Sequence, residues 1–111
     1  LEHHEEDRFT FQFGTETISL ELRHIYYFES KKRIVNIQLS DSSYKTYAKL
    51  DDIETALTGK DFIRCHQSFL VNAKKILRLS AGELILKNSV VIPVSKKYRK
   101  SVNDAYLWSL R

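Results

Sequence analysis

Short runs in which apolar and polar side chains alternate, each closed by a turn-forming residue, recur along most of this chain. Phe9, Phe11 and Phe13 alternate with Thr10 and Gln12 before Gly14 punctuates, and Ile18, Leu20 and Leu22 resume the pattern. A period of two puts every second side chain on one face of a pleated strand, so these residues predict a half-buried hairpin. Residues 24–29, His-Ile-Tyr-Tyr-Phe-Glu, are apolar on both faces, as a central strand covered from two sides requires. Lys31-Lys32-Arg33 interrupts, Val35, Ile37 and Leu39 continue, and residues 40–43 are a turn by composition. Residues 44–47 add a further short strand.

Two stretches break the rhythm. Leu50, Ile53 and Leu57 recur at spacings of three and four with Asp51, Asp52 and Glu54 between them, predicting a helix with acidic residues in its first turn and Gly59 as its C-terminal cap. The last stretch, residues 96 to about 110, carries Tyr98, Val102, Ala105 and Tyr106 as a helical stripe, with Ser95 as N-cap. Between them come strands over 62–65, 69–71, 76–79, 84–86 and 90–94, and Pro93, which cannot donate to a ladder, places the last of these at an edge. The expected class is mainly β: eight to ten short strands with one mid-chain helix and one C-terminal helix.

The chain has 111 residues, enough for one domain with its own core. Residues 1–8 read as a tail or linker remnant and 9–111 as the domain. The acidic start is unlike a signal peptide, and the missing initiator Met suggests a piece of something longer. The apolar runs fall far short of the ~18 residues of a membrane helix. The single cysteine, Cys65, excludes an internal disulfide and fits a reducing cytoplasm. The formal net charge of +4 conceals a division: residues 1–59 carry −4 and residues 60–111 carry +8. Such asymmetry points the basic part toward a polyanion, or toward nothing more than a solvated basic surface.

Catalysis finds little support. There is no phosphate-cradling glycine loop, no nucleophile elbow and no His-Glu-x-x-His. Cys65 and His66 are adjacent, and neighbours on a regular strand face opposite ways, so a nucleophile–base pair is not expected. His3, His4, His24 and His66 show no zinc spacing, and no cofactor is implied.

Nucleic acid is better served. Three polar or basic interruptions stand at strand ends: Lys31-Lys32-Arg33, His66-Gln67-Ser68, and Ser95-Lys96-Lys97 with Arg99-Lys100 behind. Lys and Arg suit phosphates, while Arg, Lys and Gln also match guanine and adenine edges in the major groove. Taken singly, each is an ordinary solvated turn. A compact chain of this length is roughly 34 Å across, about one turn of B-DNA, so one domain can reach successive major grooves. The aromatics fit core positions rather than an open stacking platform, which favours duplex over single strands.

Residues 25–30, Ile-Tyr-Tyr-Phe-Glu-Ser, before a basic loop, residues 62–72, Phe-Ile-Arg-Cys-His-Gln-Ser-Phe-Leu-Val-Asn, and residues 92–98, Ile-Pro-Val-Ser-Lys-Lys-Tyr, together resemble the LytTR family of DNA-binding domains. The resemblance spans roughly residues 9 to 106. It implies an elongated fold of about ten strands in three small sheets, serving as the output end of a bacterial two-component response regulator behind an N-terminal receiver domain. It implies loops rather than a recognition helix in the major groove, and paired direct repeats bound as a homodimer. Carried onto this chain, Arg33 is a base reader with Lys32 as its substitute, and Gln67 is a second reader. His66 buttresses the loop or touches a phosphate, and Ser68 supports it. Ser95 stands where some members carry Arg, so Lys96 is an alternative third reader. Lys31, Lys97, Arg99 and Lys100 are expected on phosphates, and Arg64 and Asn72 in structural support. The rival reading is a β-rich module docking an acidic protein surface or a small anionic ligand. An apolar tail at Tyr106, Leu107, Trp108 and Leu110 favours it slightly, but that tail reads as packing or a dimer contact rather than a separate function.

Overall fold

The computed structural model describes residues 7–111; most of the expected tail, with His3 and His4, lies outside the described residues. Ten strands form three sheets. The hairpin β1 (Arg8–Phe13) and β2 (Glu16–Glu21) stands alone. Five strands build the central sheet: β3 (Tyr27–Lys31), β4 (Ile34–Gln38), β5 (Ser43–Tyr47), β6 (Phe62–His66) and β7 (Phe69–Asn72), in the order β5-β4-β3-β7-β6, with every neighbour antiparallel. The third sheet joins β8 (Ile76–Leu79), β9 (Glu83–Leu86) and β10 (Val91–Pro93), and Pro93 lies on its edge strand as expected. Helix α1 (Leu50–Ala56) follows β5, and α2 (Arg99–Ser109) ends the fold.

The central sheet is buried on both faces, which explains why its strands read as apolar without alternation. On one face Phe28, Val35, Ile37 and Leu70 pack against Phe11 of the hairpin and Leu50, Ile53 and Leu57 of the α1 segment. On the other, Tyr27, Cys65 and Val71 meet Ile76, Leu84, Leu86 and Ile92 of the third sheet and Val102 of α2. Successive residues thus serve different cores: Tyr27 and Phe28, then Leu70 and Val71. The body measures 41 × 40 × 26 Å.

Several boundaries differ from expectation. β1 begins at Arg8, the last residue of the expected tail. β2 stops at Glu21, Leu22–His24 forms a 3-10 turn, and β3 starts only at Tyr27. The buried Asn72 amide causes this bend, donating to Ile25 O at 2.9 Å and Leu22 O at 3.4 Å from some 50 residues downstream. Ser95 does not cap a helix: Lys96–Tyr98 forms a 3-10 turn before α2, and the Ser95 hydroxyl makes no capping bond. Tyr106 packs on the second core, but Leu107, Trp108 and Leu110 stay exposed, so one core does not consume this apolar tail.

Candidate nucleic-acid interface

Antiparallel pairing fixes which turns share an end of the sheet. β3 and β6 run one way and β4 and β7 the other, so Lys32–Arg33, joining β3 to β4, and Gln67–Ser68, joining β6 to β7, protrude from the same end. Ser30 N donates to Ser68 O at 2.9 Å and locks the two turns side by side. Neighbouring strands lie about 4.8 Å apart, which sets the turn centres roughly 10 Å from each other. The third segment joins them through Ser95 N, which donates to Cys65 O at 2.9 Å. All three interruptions marked in the sequence therefore meet. A cleft of about 710 Å³ opens between them, lined among others by Lys32, Asp51, Arg64, Gln67, Ser68, Ser95 and Lys97. Lys31, Arg33, His66, Lys96, Arg99 and Lys100 lie outside its lining, though each adjoins a lining residue in sequence or opens α2 just beyond.

Arg64 organises the second turn. Its side chain is only 9% exposed, and its Nε and Nη2 donate to the carbonyls of His66 and Gln67, the former at 2.9 Å. Nη1 donates to Asp51 and Glu54, at 2.7 Å each. Burial alone would lower its pKa, but the two carboxylates outweigh burial and raise it. Arg64 is thus a clamp between α1 and the turn rather than a free cation. His66 contributes in the same way: its Nδ1 accepts from Ser68 N at 3.0 Å, and its ring sits edge-on to Phe69 at 5.6 Å. Asn72 caps the Ala73–Lys75 turn by accepting from Lys74 N. The expected supporting roles of Arg64 and Asn72 are therefore visible as bonds.

The strand that carries Cys65 and His66 is irregular at that point. The β6–β7 register slips between Arg64 and His66, leaving Cys65 as a bulge residue. Cys65 lies in the second core, and His66 packs on Phe69, which packs on that same core. The thiol is fully buried, and burial pushes it up to about 12, which leaves it unreactive near neutral pH. Among the described residues no three His, Cys, Asp or Glu side chains are grouped to hold a metal.

The cations at this end differ in freedom. Lys32, Arg33, Lys96, Lys97 and Arg99 are exposed and form no ion pair among the described residues, although Lys97 Nζ stands 5.2 Å from the Tyr98 ring centroid. Lys31 reaches Glu29 at 4.0 Å, and Lys100 bonds Asp104 at 3.0 Å along α2. Gln67 is exposed and Ser95 half-buried. Sequence reading missed Lys49, exposed between β5 and α1, and Tyr47 beside it. Both arrive at this end because β5 runs antiparallel to β4, a pairing no local pattern announces. It also missed Asp51 and Glu54 as the clamp's anions, reading them only as acidic residues of the helix.

Comparison with known proteins bears on the family and the fold. The family model described as LytTr DNA-binding domain matches residues 15–106. The sensory transduction protein LytT of Bacillus subtilis is 31% identical over 105 residues, 90% of this chain and 44% of that protein. The transcriptional regulatory protein BtsR of Salmonella typhi is 44% identical over 58 residues, 48% of this chain and 24% of that protein. The chain thus spans less than half the length of these relatives. A solved LytTr DNA-binding domain from Bacillus cereus superposes with a TM-score of 0.76 at 23% identity, covering 89% of this chain and 95% of its own, a likeness of fold.

Proposed function

This chain belongs to the LytTr DNA-binding domain family, and from that premise we propose that it reads a specific duplex sequence as the output domain of a two-component response regulator in the bacterial cytoplasm. The observation that carries the reading is the meeting of three separate chain segments at one end of the central sheet, two of them carrying cations that form no ion pair among the described residues. Arg33 and Gln67 read base edges, and Ser95 or Lys96 makes the third specific contact. Lys31, Lys32, Lys97, Arg99 and Lys100 neutralise phosphates, while His66 and Ser68 hold the middle turn in shape. The body is 41 × 40 × 26 Å, so the face that carries this ridge is comparable with one turn of B-DNA, about 34 Å, and the outermost cations beside the turns reach toward the adjacent groove. Two copies on paired direct repeats, each behind a receiver domain, complete the reading.

Selection of bound duplexes from a random pool tests it. The expected result is one recurring motif, repeated in direct orientation about two helical turns apart. Gln67→Ala should then lose on the order of 1–3 kcal/mol on that motif and almost nothing on scrambled duplex. Equal losses on both would remove Gln67 from base reading. No enrichment, together with binding to acidic protein surfaces, would favour the β-rich docking module instead.

A further inference from the structure

A fourth segment, residues 47–49, reaches the same end of the sheet. Tyr47 is the cross-strand partner of Ile34, the residue that follows the Lys32–Arg33 turn, and Ala48 N donates to Arg33 O at 3.3 Å. The segment is therefore fixed to the flank of the first turn, on the side away from Gln67, because β5 lies beyond β4 in the sheet order.

Two of its side chains have no role in either core. Tyr47 is 69% exposed, yet its ring is held: it stacks on Phe13 with centroids 5.7 Å apart and planes 22° from parallel. The adjacent Thr46 hydroxyl donates to Gln12 O at 3.0 Å and pins β5 to β1 beneath it. Lys49 is exposed and forms no ion pair among the described residues. A pre-positioned phenol beside a free ammonium suits a phosphodiester, since phosphate contacts come from Tyr hydroxyls as well as from Lys, and an already ordered ring loses little freedom on binding.

We propose that Tyr47 and Lys49 form a further DNA-contacting element. The Tyr47 hydroxyl donates to a phosphate oxygen, and Lys49 neutralises the backbone just outside the sequence read by Arg33. This rests on the duplex reading above and extends its footprint in one direction. Such contacts add affinity and fix register without choosing bases. The competing role for the aromatic pair is to shield the edge of β5.

The test titrates the chain and its variants with a long duplex bearing the selected motif, and with the same duplex trimmed by about half a turn at one end or the other. Tyr47→Phe keeps the ring and its stack and removes only the hydroxyl. Tyr47→Phe and Lys49→Ala should each weaken binding roughly three- to tenfold on the long duplex, with unchanged Tm. Lys49→Ala should lower the salt slope by about 0.9, and Tyr47→Phe should leave it alone. Trimming one end, and only that end, should erase both losses. Parental affinity in both variants, or losses that survive trimming at either end, would overturn the proposal. A loss confined to Tyr47→Ala and accompanied by a lower Tm would overturn it for Tyr47 and assign the ring to the strand edge. If the parent binds no duplex, the functional reading fails first and this falls with it.

Discussion

Two clefts of similar size open at opposite ends of the central sheet, and they differ in how charge is disposed. The far cleft, about 640 Å³, is lined by Arg8, Arg23, Lys60 and Lys74, and every one of them faces a carboxylate. Arg8 and Arg23 share Glu21 at 4.0 and 2.7 Å, Lys60 meets Asp7 at 3.6 Å, and Lys74 meets Asp61 at 3.6 Å. The Arg23 hydrogen bond holds the Glu21 carboxyl below its ordinary range. In the loop-end cleft Arg64 alone is paired, whereas Lys32 and Lys97 have no carboxylate partner among the described residues. Exposed pairs stabilise a fold by only about 0–1 kcal/mol, but they cancel the field that a polyanion would feel. A count of cations would not separate the two ends; their pairing does.

The harshest way to break this comparison is to neutralise three cations at each end in turn. Lys32→Ala, Arg33→Ala and Lys97→Ala combined should reduce duplex affinity by roughly two to three orders of magnitude and flatten the salt dependence by about 0.9 per contact. Arg23→Ala, Lys60→Ala and Lys74→Ala combined should change affinity by less than about threefold. Anisotropy titrations over a range of salt would read both, and similar losses at the two ends would abolish the distinction. Arg64→Ala comes next. It orphans the His66 and Gln67 carbonyls, while Asp51 and Glu54, already partly in water, rehydrate. A cost of roughly 1–3 kcal/mol in urea unfolding should result, together with weakened discrimination between motif and scrambled duplex. Retained discrimination would show that the Gln67 turn keeps its shape without the clamp.

Most of the fold was legible because a half-buried strand and an amphipathic helix leave periodic traces. The double-sided burial of β3 and the edge position of Pro93 followed from apolarity and from a missing donor. What failed was set by partners distant in sequence. Asn72 bends the chain after Glu21, and the β6–β7 register slips at Cys65. The loops were legible as interruptions, and their shared end follows once the strand order is known. Lys49 was invisible because its neighbours look like a helix start, and Asp51 and Glu54 because a carboxylate bonded to a buried guanidinium has the same local sequence as a solvated one.

Both ends hang on one interior, and alkali tests whether they loosen together. Burial raises the Cys65 thiol from its ordinary 9.0 to about 12. The unfolded chain therefore releases this proton first, so the contribution is complete below pH 9 and falls away as the pH rises toward 12. At pH 10 the loss is about 1 kcal/mol. Burial also raises the Tyr27 phenol, with Glu29 adding to it, and the same sign follows. Urea unfolding from pH 8 to 10 should show this decline, and Cys65→Ala should show less of it. Alkylation of the native chain at pH 8 should be negligible. Ready labelling would mean that the floor beneath Ser95 opens locally, which would make the loop end the softer of the two.

The smallest expected effect concerns turn chemistry. Each end places a charged residue in the left-handed region, Asp61 at a φ of +66° beside Gly59 at +83° in the far cleft and Lys32 at +60° in a two-residue hairpin at the loop end. A side chain there costs about 1–2 kcal/mol, and glycine returns roughly 0.5–1 of it through the freedom it adds to the unfolded chain. Lys32→Gly should therefore be neutral or stabilising by up to about 1 kcal/mol, while duplex affinity falls a few fold and the salt slope drops by about 0.9. Stability and binding would then move in opposite directions at one residue. That pattern is expected where backbone strain is retained for a charge that must project from a tight turn, and a variant losing both together would place Lys32 in the framework instead.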